Sequence, residues 1–404
     1  MRVGVVGCGV GGMAAALALA RRGHEVTLLE AFAAPRPLGS GLLLQPTGLA
    51  ALKALGLDEA IRAAGARVDK LQGRDTRGRQ VMDLDYADWR PGAHGVGIHR
   101  AALFDTLHDV LAAAGVTVVT GARIVRIEDH ARPTLHAEDG RAFGPFDLAL
   151  VGDGSASTLR TAIRPRAKAP IYPWGAVWVN AADPDGRFAG ALRQVYHRSE
   201  VMTGVLPVGR GPAPSGEGGG QQQVSMFWSL PINDFDKALA VDFHDWRVNQ
   251  LGKLWPEAAA LLEGHADWSG FARATYRDVS VGRWTSGACA LIGDAAHGTS
   301  PQLGQGANLA LVDAVELAAR LDRDSRPVAV AISGWQASRR RHTGIYQTVS
   351  KALTPLFQAH GPFWPTMRDL FFTPMSRWPG LKQLGVLLLT GTLRLGRFPP
   401  ETRP

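Results

Sequence analysis

The stretch "VGVVGCGVGGMAAALALARRGHEVTLLE", residues Val3 to Glu30, carries three glycines in the spacing G-x-G-x-x-G and ends on a glutamate. A β-branched apolar run precedes the glycines and an alanine-rich run follows them, which predicts a strand, a tight turn and a helix. In this arrangement Gly7 makes the turn, Gly9 lets the backbone approach a pyrophosphate, and Gly12 lets the helix pack closely on the strand. The stretch therefore predicts a dinucleotide whose phosphates lie at a helix N-terminus.

Glu30 strengthens this interpretation because it follows a second predicted strand, His24 to Leu29. An acid about 20 residues after the glycines typically accepts a hydrogen bond from an adenosine ribose hydroxyl. The alternative is a strand-to-helix turn whose glycines serve packing alone. The combination of strand, glycines, helix and acid favours the dinucleotide site over that alternative.

Length and composition limit the class of protein. A chain of 404 residues is long enough for two or three domains, and 46% hydrophobic with 20% charged residues is an ordinary globular balance. We expect a cytoplasmic protein because no apolar run is long enough to cross a bilayer and the N-terminal segment is better explained as strand and helix than as a signal peptide. The two cysteines, Cys8 and Cys289, form neither a disulfide framework nor a C-x-x-C pair.

The formal net charge of +8 raises the question of nucleic-acid binding. Lysine and arginine are scattered, however, and no basic block with interleaved aromatic residues is present. The sequence therefore predicts an anionic cofactor or small-molecule substrate and no nucleic-acid partner.

The order of predicted elements indicates interleaved domains. After the first unit, a helix at 46–64 is followed by alternating residues at 70–88 that enter another sheet. Strand-like runs at 172–230 form a second sheet, with a Gly- and Pro-rich loop at 209–223 that we expect to be mobile. We predict an α/β fold with a Rossmann-like dinucleotide-binding domain, an interleaved β-sheet substrate domain and a C-terminal helical region. The assigned segments are 1–70, 97–165 and 280–340 for the first domain, 71–96 and 166–279 for the second, and 341–404 for the helical region.

A second constellation is "GDAAHGTSPQLGQGANLALVDAVELAARL", residues Gly293 to Leu321. Asp294, at a predicted strand end, can accept hydrogen bonds from sugar-alcohol hydroxyls. Gly304, Gly306 and the first N–H groups of the following helix form a positive cradle that favours an anion such as a reduced isoalloxazine. A capped helix with a flexible entry loop is the alternative interpretation of this stretch by itself.

Three motifs together resemble the class A flavoprotein monooxygenases of the aromatic-hydroxylase family, such as salicylate, para-hydroxybenzoate and ubiquinone-pathway hydroxylases. The motifs are G-x-G-x-x-G with its acid at Glu30, D-G-x-x-S-x-x-R at Asp153, Gly154, Ser157 and Arg160, and the block from Gly293 to Asn308. Their order and spacing match over roughly the first 340 residues. The resemblance implies non-covalently bound FAD.

The resemblance also implies roles for residues. The adenine end of FAD would lie on the first motif, the second would contribute to cofactor and NAD(P)H interactions, and Asp294 would meet the ribityl chain and pyrophosphate. Pro301 would line the face of the flavin where oxygen reacts. The implied cofactor-binding residues are Gly7, Gly9, Gly12, Glu30, Arg100, Asp153, Gly154, Asp294, Gly304, Gly306, Ala307 and Asn308.

The implied activity is hydroxylation of an electron-rich aromatic or polyketide-like substrate. NADH or NADPH would reduce the flavin, and O₂ would form a flavin C4a-hydroperoxide that delivers one oxygen atom, with no metal required. His297 belongs to the family motif and is either a catalytic residue or a packed, hydrogen-bonded histidine.

Other functions remain open at this point. An FAD-dependent reductase, dehydrogenase or epoxidase acting on a polyprenyl-like substrate shares much of this pattern, and a non-enzymatic FAD-binding or redox-sensing protein is a second class. A disulfide reductase is excluded because it would need a cysteine pair. A tryptophan-halogenase-like enzyme is disfavoured because it would need a W-x-W-x-I-P segment, and the tryptophans of this chain have a different spacing. Consumption of O₂ together with NAD(P)H separates the hydroxylase from the others.

The substrate pocket and the C-terminal tail have no diagnostic pattern. Candidate lining residues, each of which is alternatively part of the core, are Gln45, Trp178, Tyr196, His197 and Trp228. The apolar tail at 379–400 with its basic residues either contacts a membrane surface or forms a helix that closes the substrate domain. We expect the helix, because three glycines interrupt the apolar residues. The sequence predicts no particular oligomeric state.

Overall fold

Three β-sheets organise the computed structural model, which describes residues 1–34, 40–211, 220–375, 378–395, 398 and 402–404. The strands are β1 (Arg2–Val6), β2 (Glu25–Leu29), β3 (Gly41–Leu44), β4 (Ala66–Asp75), β5 (Gln80–Asp85), β6 (Gly95–His99), β7 (Thr117–Val119), β8 (Ile124–Glu128), β9 (Thr134–Ala137), β10 (Ala142–Phe143), β11 (Leu148–Val151), β12 (Trp174–Ala182), β13 (Gly190–His197), β14 (Val201–Arg210), β15 (Gln222–Pro231), β16 (Ala272–Ala274), β17 (Thr285–Ser286) and β18 (Cys289–Leu291).

Helices cover the sheets and form the C-terminal part of the chain. They are α1 (Val10–Ala20), α2 (Pro46–Ala54), α3 (Asp58–Ala64), α4 (Arg100–Ala113), α5 (Arg160–Ile163), α6 (Phe235–Leu239), α7 (Phe243–Asp245), α8 (Gly252–Leu254), α9 (Pro256–Ala260), α10 (Asp294–His297), α11 (Gly306–Arg323), α12 (Val328–Phe357), α13 (Phe363–Met375) and α14 (Pro379–Thr390). Short 3₁₀ turns lie at Tyr86–Asp88, Ile232–Asp234, Trp268–Gly270 and Pro301–Leu303, and a π-helical turn lies at Trp246–Leu251.

The first sheet has six strands in the order β17-β18-β11-β1-β2-β7. All neighbours are parallel except β17, which runs antiparallel to β18. Its central strands read as continuous apolar runs because helices cover both faces of a parallel sheet. The predicted Rossmann-like fold is therefore confirmed.

The second sheet has nine strands, with β16-β12-β15-β14-β13-β4-β6-β3 in order and β5 beside β4. The excursion predicted at 70–88 is thus confirmed as β4 and β5. The strands β3 and β6 also pair in this sheet, and their residues fall largely in segments that the sequence assigned to the first domain. The domain boundaries themselves stay a prediction. A third sheet has the order β10-β9-β8, and its neighbouring strands are antiparallel.

Two local predictions differ from the structure. The single helix expected at 46–64 is divided into α2 and α3 at Gly56, whose φ of 61° ends the first helix. The loop expected at 209–223 is shorter, because residues 209–210 and 222–223 pair in β14 and β15. Residues 212–219, on which the prediction of a mobile loop mainly rests, lie outside the described residues.

The two faces of the nine-stranded sheet pack against different partners. On the outer face, Met226 and Val179 join an aromatic cluster around Trp246 and Trp255. On the inner face, Phe227 and Tyr196 pack against Phe357 at the end of α12. The inner face is therefore the one turned toward the elements that follow the third motif.

The C-terminal helix α14 packs on the nine-stranded sheet, as the preferred interpretation of the tail predicted. Leu389 joins a core cluster with Leu43, Val68 and Tyr86, and Lys382 pairs with Asp88 at 2.8 Å. Within the described ranges, no helix is both long and apolar enough to cross a membrane.

Candidate functional site

The glycines of the first motif have the geometry of a dinucleotide-binding turn. Gly7 has a φ of 97°, and a Cβ there would lie 2.6 Å from the carbonyl oxygen of Gly152. A Cβ at Gly12 would lie 1.9 Å from the carbonyl oxygen of Gly7, so α1 packs on β1 only with glycine at this position. A Cβ at Gly9 would have no atom within 4 Å. Gly9 thus borders open space at the N-terminus of α1, which has no acidic residue in its first turn.

Glu30 is held beside this turn by the backbone. Its carboxylate accepts hydrogen bonds from the N–H of Cys8 at 2.7 Å and from the N–H of Phe32 at 2.9 Å. The side chain is only 8% exposed, and its oxygens keep lone pairs for a further donor. The position suits the predicted contact with a ribose hydroxyl.

The second motif contains a half-buried carboxyl, Asp153, and a buried guanidinium, Arg160. Asp153 Oδ1 is closed to solvent and has no hydrogen-bond partner among the described residues, and burial raises the pKa of this carboxyl. Arg160 donates from Nε to the carbonyl of Ala295 at 2.7 Å and from Nη2 to the carbonyl of Ser155 at 2.8 Å. Gly154 has a φ of 86° and faces open space.

The three motifs meet at the carboxyl edge of the six-stranded sheet. The first motif touches the second through Gly7 and Gly152, and it touches the third where a Cβ at Gly11 would lie 3.3 Å from the Cβ of Ala310. The Arg160–Ala295 hydrogen bond joins the second motif to the third. The crevice outside the carboxyl ends of parallel strands is where such sheets bind ligands.

The third motif presents a carboxylate and free backbone donors to this crevice. Asp294 is exposed, and a Cβ at Gly306 would lie 3.6 Å from its Oδ1. Gly306, Ala307 and Asn308 form the first turn of α11, whose N–H groups have no partner four residues back in the helix. Gly304, with φ 60° and ψ 26°, turns the chain into this helix.

The side chain of Asn308 is bonded within the protein. Its Oδ1 accepts from the N–H of Gln45 at 2.8 Å, and its Nδ2 donates to the carbonyls of Leu43 at 3.2 Å and Gly304 at 3.1 Å. The fully buried amide thereby ties β3 to the turn before α11. Its side chain is committed to the protein, so only its backbone N–H remains for an anion.

His297 is a packed, hydrogen-bonded histidine, the second of the two interpretations of this residue. Its Nε2 lies 2.6 Å from Asp313 Oδ2, and its ring packs 5.2 Å from that of Trp284. Asp313 also accepts from the N–H of Gly293 at 3.0 Å and from Arg339 Nε at 2.7 Å. His297 therefore supports the strand end that presents Asp294 and does not face the crevice.

Sequence reasoning missed Asp313 and the buried network around it. Arg339 contacts His342 Nδ1 at 2.7 Å, and His342 Nε2 donates to the carbonyl of Gly391 at 2.9 Å. Glu316, beside this network, pairs with Arg394. An aspartate and a glutamate three residues apart in the apolar middle of α11 were the available signal.

Pro301 begins a 3₁₀ turn that reaches the nine-stranded sheet through Gln358. Gln302 Nε2 donates to Gln358 Oε1 at 2.5 Å, and Tyr172 Oη donates to the same oxygen at 2.6 Å. Gln358 Nε2 in turn donates to Ser229 Oγ at 2.7 Å on the inner face of β15. The sequence analysis did not identify Tyr172 or Gln358, because they come from distant parts of the chain.

The predicted pocket residues separate into different environments. Trp178 and Tyr196 lie on the inner face, and Tyr196 packs 5.2 Å from Phe357. Trp228 lies on the outer face, 5.3 Å from Trp246, and is part of the core. His197 is exposed at the end of β13.

Two further predicted residues, Gln45 and Arg100, lie at the starts of helices: Gln45 directly precedes α2 and Arg100 begins α4. Gln45 is buried and accepts a hydrogen bond from the hydroxyl of Tyr86, so its side chain is already partnered. Arg100 is the exposed first residue of α4, and its backbone N–H donates to the carbonyl of Ser40 at 2.9 Å.

The residues present fit a long dinucleotide with a diphosphate. Gly9 and the bare N-terminus of α1 leave room for phosphates, Glu30 offers an acceptor, and Asp153 holds an unpaired buried oxygen. The first turn of α11 offers backbone donors for an anionic ring. No group of side chains with metal-ligand chemistry occurs in the parts of the chain that the structure describes.

Comparison with known proteins agrees with this fit. The model of the family described as FAD binding domain matches residues 1–326. Aurachin C monooxygenase/isomerase of Stigmatella aurantiaca is 26% identical over 382 residues, covering 92% of this chain and 94% of the relative. The 3-hydroxybenzoate 6-hydroxylase of Polaromonas naphthalenivorans is 28% identical, with 88% of each chain covered. The crystal structure of Klebsiella pneumoniae HpxO complexed with FAD and uric acid aligns with a TM-score of 0.77 at 21% identity, covering 96% of this chain and 97% of that one.

Proposed function

The chain belongs to the FAD-binding-domain family of class A flavoprotein monooxygenases, and from that premise we propose that it uses NADH or NADPH and O₂ to hydroxylate an electron-rich aromatic or polyketide-like substrate. The observation that carries the proposal is the position of the Pro301 turn. That turn leaves the dinucleotide crevice and is bonded through Gln302 and Gln358 to Ser229 on the inner face of the nine-stranded sheet. A substrate held on that face would meet the redox end of the cofactor.

Bound FAD would supply the electron transfer to O₂ and the transfer of one oxygen atom to the substrate. The residues of this chain would bind and orient it. Glu30 would accept a hydrogen bond from a ribose hydroxyl, and Asp294 would accept from hydroxyls of the ribityl chain. The first turn of α11 would favour the anionic reduced ring. The apolar inner face, with Trp178 and Phe227, would limit the access of water to the reacting atoms.

A strip of cations beside the second motif supports NADH or NADPH as the reductant. Arg164, Arg166 and Lys168 are exposed, and none of them pairs with a carboxylate in the described ranges. Arg277 lies on the adjoining segment and donates to the carbonyl of Ala169 at 2.9 Å. Such a strip attracts phosphates without a second nucleotide-binding fold, and we infer that the nicotinamide nucleotide docks there transiently.

The proposal is tested by measuring NADH and NADPH oxidation and O₂ uptake with a panel of hydroxybenzoates and hydroxyquinolines. We expect one compound to raise both rates together and to gain one oxygen atom by mass. Reduction of a polyprenyl-like compound under argon, with no oxygenated product in air, would identify a reductase instead. Oxidation of neither nucleotide with any compound would contradict an enzyme of this class.

A further inference from the structure

One wall of the nine-stranded sheet carries an unusual combination of aromatic and amide side chains. Alternate residues of β12 point to one face, and Trp174, Ala176, Trp178 and Asn180 share the inner face. Trp178 lies opposite Phe227 of β15, with ring centroids 4.9 Å apart and planes tilted by 41°. Trp178 and Asn180 are only half-buried, so this end of the wall is not filled by the core.

Asn180 has an acceptor that the protein leaves unused. Its Oδ1 is closed to solvent and has no hydrogen-bond partner in the part of the chain that the structure describes. A buried acceptor without a donor destabilises the fold, so such atoms are uncommon in folded proteins. A ligand that donates a hydrogen bond here would remove this cost.

The position of Asn180 connects it to the cofactor-binding elements. Asn180 lies opposite Ser225 of β15, and Ser225 Oγ accepts from the N–H of Gly41 at 2.8 Å. Gly41 begins β3, the strand that Asn308 ties to the third motif through Leu43. The amide of Asn180 is therefore on the side of the sheet that faces the dinucleotide crevice.

Tyr276 borders the same wall from the segment before the third motif. Its carbonyl accepts from the N–H of Tyr172 at 2.9 Å, which places it beside the start of β12. Burial raises the pKa of the Tyr276 hydroxyl, while its hydrogen-bonding partner Trp178 and the charge of Arg100 oppose that shift. The phenol thus lies near both Trp178 and the first residue of α4.

We propose that Trp178, Asn180 and Tyr276 form the specificity wall of the substrate site, and that the substrates are planar heteroaromatic molecules with a ring N–H or a hydroxyl that donates to Asn180 Oδ1. The proposal rests on the proposed function and names its substrate class. Aromatic side chains contact a planar ring in stacked or edge geometry but give little directional information. The amide supplies the direction, because a site with a buried acceptor discriminates strongly against ligands without the matching donor.

The experiment measures binding to the FAD-loaded protein without NADH, from the change in flavin absorbance. The probes are 4-hydroxyquinoline, whose quinolone form carries a ring N–H, and 1-methyl-4-quinolone, which lacks it. We expect wild type to bind the N–H probe more tightly, and Asn180→Leu to weaken that binding about tenfold while the affinity for the methylated probe stays unchanged. Asn249→Leu is the matched control, because Asn249 is exposed and bonds only to Asp245 at 2.7 Å.

A second variant, Asn180→Ala, keeps the test valid if the leucine variant loses its FAD, and the same loss of discrimination is expected. Equal affinity of wild type for both probes, equal weakening of both probes by the substitutions, or no binding of either probe would overturn the proposal. Binding as expected but without oxygen incorporation would leave this site in place and contradict the proposed hydroxylation, so the two failures are distinguishable.

Discussion

Nε2 of His297 lies 2.6 Å from Oδ2 of Asp313, and both side chains are almost closed to solvent behind the third motif. Burial by itself raises the pKa of Asp313, but His297 and Arg339 outweigh it and hold the pKa at about 2. The same carboxylate accepts from the N–H of Gly293, which immediately precedes Asp294. One buried charge on α11 therefore positions the strand end that presents the predicted cofactor ligand.

Asp313→Asn is expected to lower the free energy of unfolding by roughly 3–5 kcal/mol, because Arg339 would lose its buried counter-charge. The FAD content of the purified protein should fall as well, because the carboxylate of Asp313 also holds the backbone N–H of Gly293. Urea unfolding of the apoprotein and flavin absorbance of the purified protein measure the two effects. Asp322→Asn on the same helix is the control: its partner Arg22 is at the surface, so a change below about 1 kcal/mol is expected. Similar losses in both variants would contradict the role of Asp313.

The buried network also predicts a pH dependence of stability. Burial and the neighbouring Arg339 lower the pKa of His342 to about 2, whereas an unfolded histidine titrates near 6.5. Below pH 6.5 the unfolded chain binds a proton that the folded chain does not, so stability falls as the pH falls, by up to about 1.4 kcal/mol per pH unit. Asp313 has a lowered pKa, and its contribution is lost only below about pH 4.

Unfolding measured between pH 7 and pH 5 avoids the titration of Asp313, and comparison with a variant identifies the contribution of His342. We expect His342→Gln to show a shallower loss of stability with falling pH than wild type, although it is less stable at pH 7 because the Arg339 and Gly391 contacts change. Parallel pH profiles for the two proteins would show that His342 does not carry this dependence.

Gly9 and Gly12 are expected to respond differently to the same substitution. A Cβ at Gly9 meets open space, so Gly9→Ala should leave the stability of the apoprotein unchanged and weaken FAD binding by obstructing the phosphates. A Cβ at Gly12 would overlap the carbonyl oxygen of Gly7, so Gly12→Ala should destabilise the apoprotein itself. Thermal unfolding without FAD and titration with FAD separate the effects. Unaltered FAD affinity in Gly9→Ala would place the diphosphate elsewhere.

Glu30→Ala is expected to weaken FAD binding about 10- to 100-fold, the loss of one buried hydrogen bond of roughly 1–3 kcal/mol. The carboxylate also organises the turn through Cys8 and Phe32, so Glu30→Gln, which keeps one acceptor, should be less impaired. Glu25→Ala on the same strand is the control because that side chain is exposed. Fluorescence titration of the apoprotein with FAD gives the affinities. Equal FAD affinity in wild type and all variants would show that Glu30 does not contact the cofactor.

Asp153→Asn should increase the stability of the apoprotein while impairing function. Burial raises the pKa of Asp153, so above about pH 4 the unfolded state ionises more readily than the folded state and the charge destabilises the fold. The neutral amide removes that penalty but also removes the carboxylate from the crevice. We expect a higher unfolding midpoint without FAD at pH 7, together with weaker FAD binding or slower flavin reduction by NADH. A lower midpoint would mean that the carboxylate stabilises the fold.

The sequence by itself determined the parts of this protein that depend on local backbone geometry. Gly7 has a positive φ, Gly12 leaves no room for a Cβ beside the carbonyl oxygen of Gly7, and Glu30 follows the second strand, so short stretches of chain contain the candidate dinucleotide site. The bounds of β1 and β11 were predictable for the same reason, because continuous apolar runs read as strands that are buried on both faces.

Only the tertiary structure decided which polar groups pair across long distances and which elements cover each face of a strand. Asn308 turns inward to Leu43, and Asp313 pairs with Arg339 from another helix, so neither role can be read from its own segment. Trp178 and Trp228 both lie in strands, yet Trp178 packs with Phe227 on the inner face and Trp228 packs against the aromatic core on the outer face. Alternation along a strand separates its two faces, but the elements that cover each face are distant in sequence and are fixed only when the chain folds.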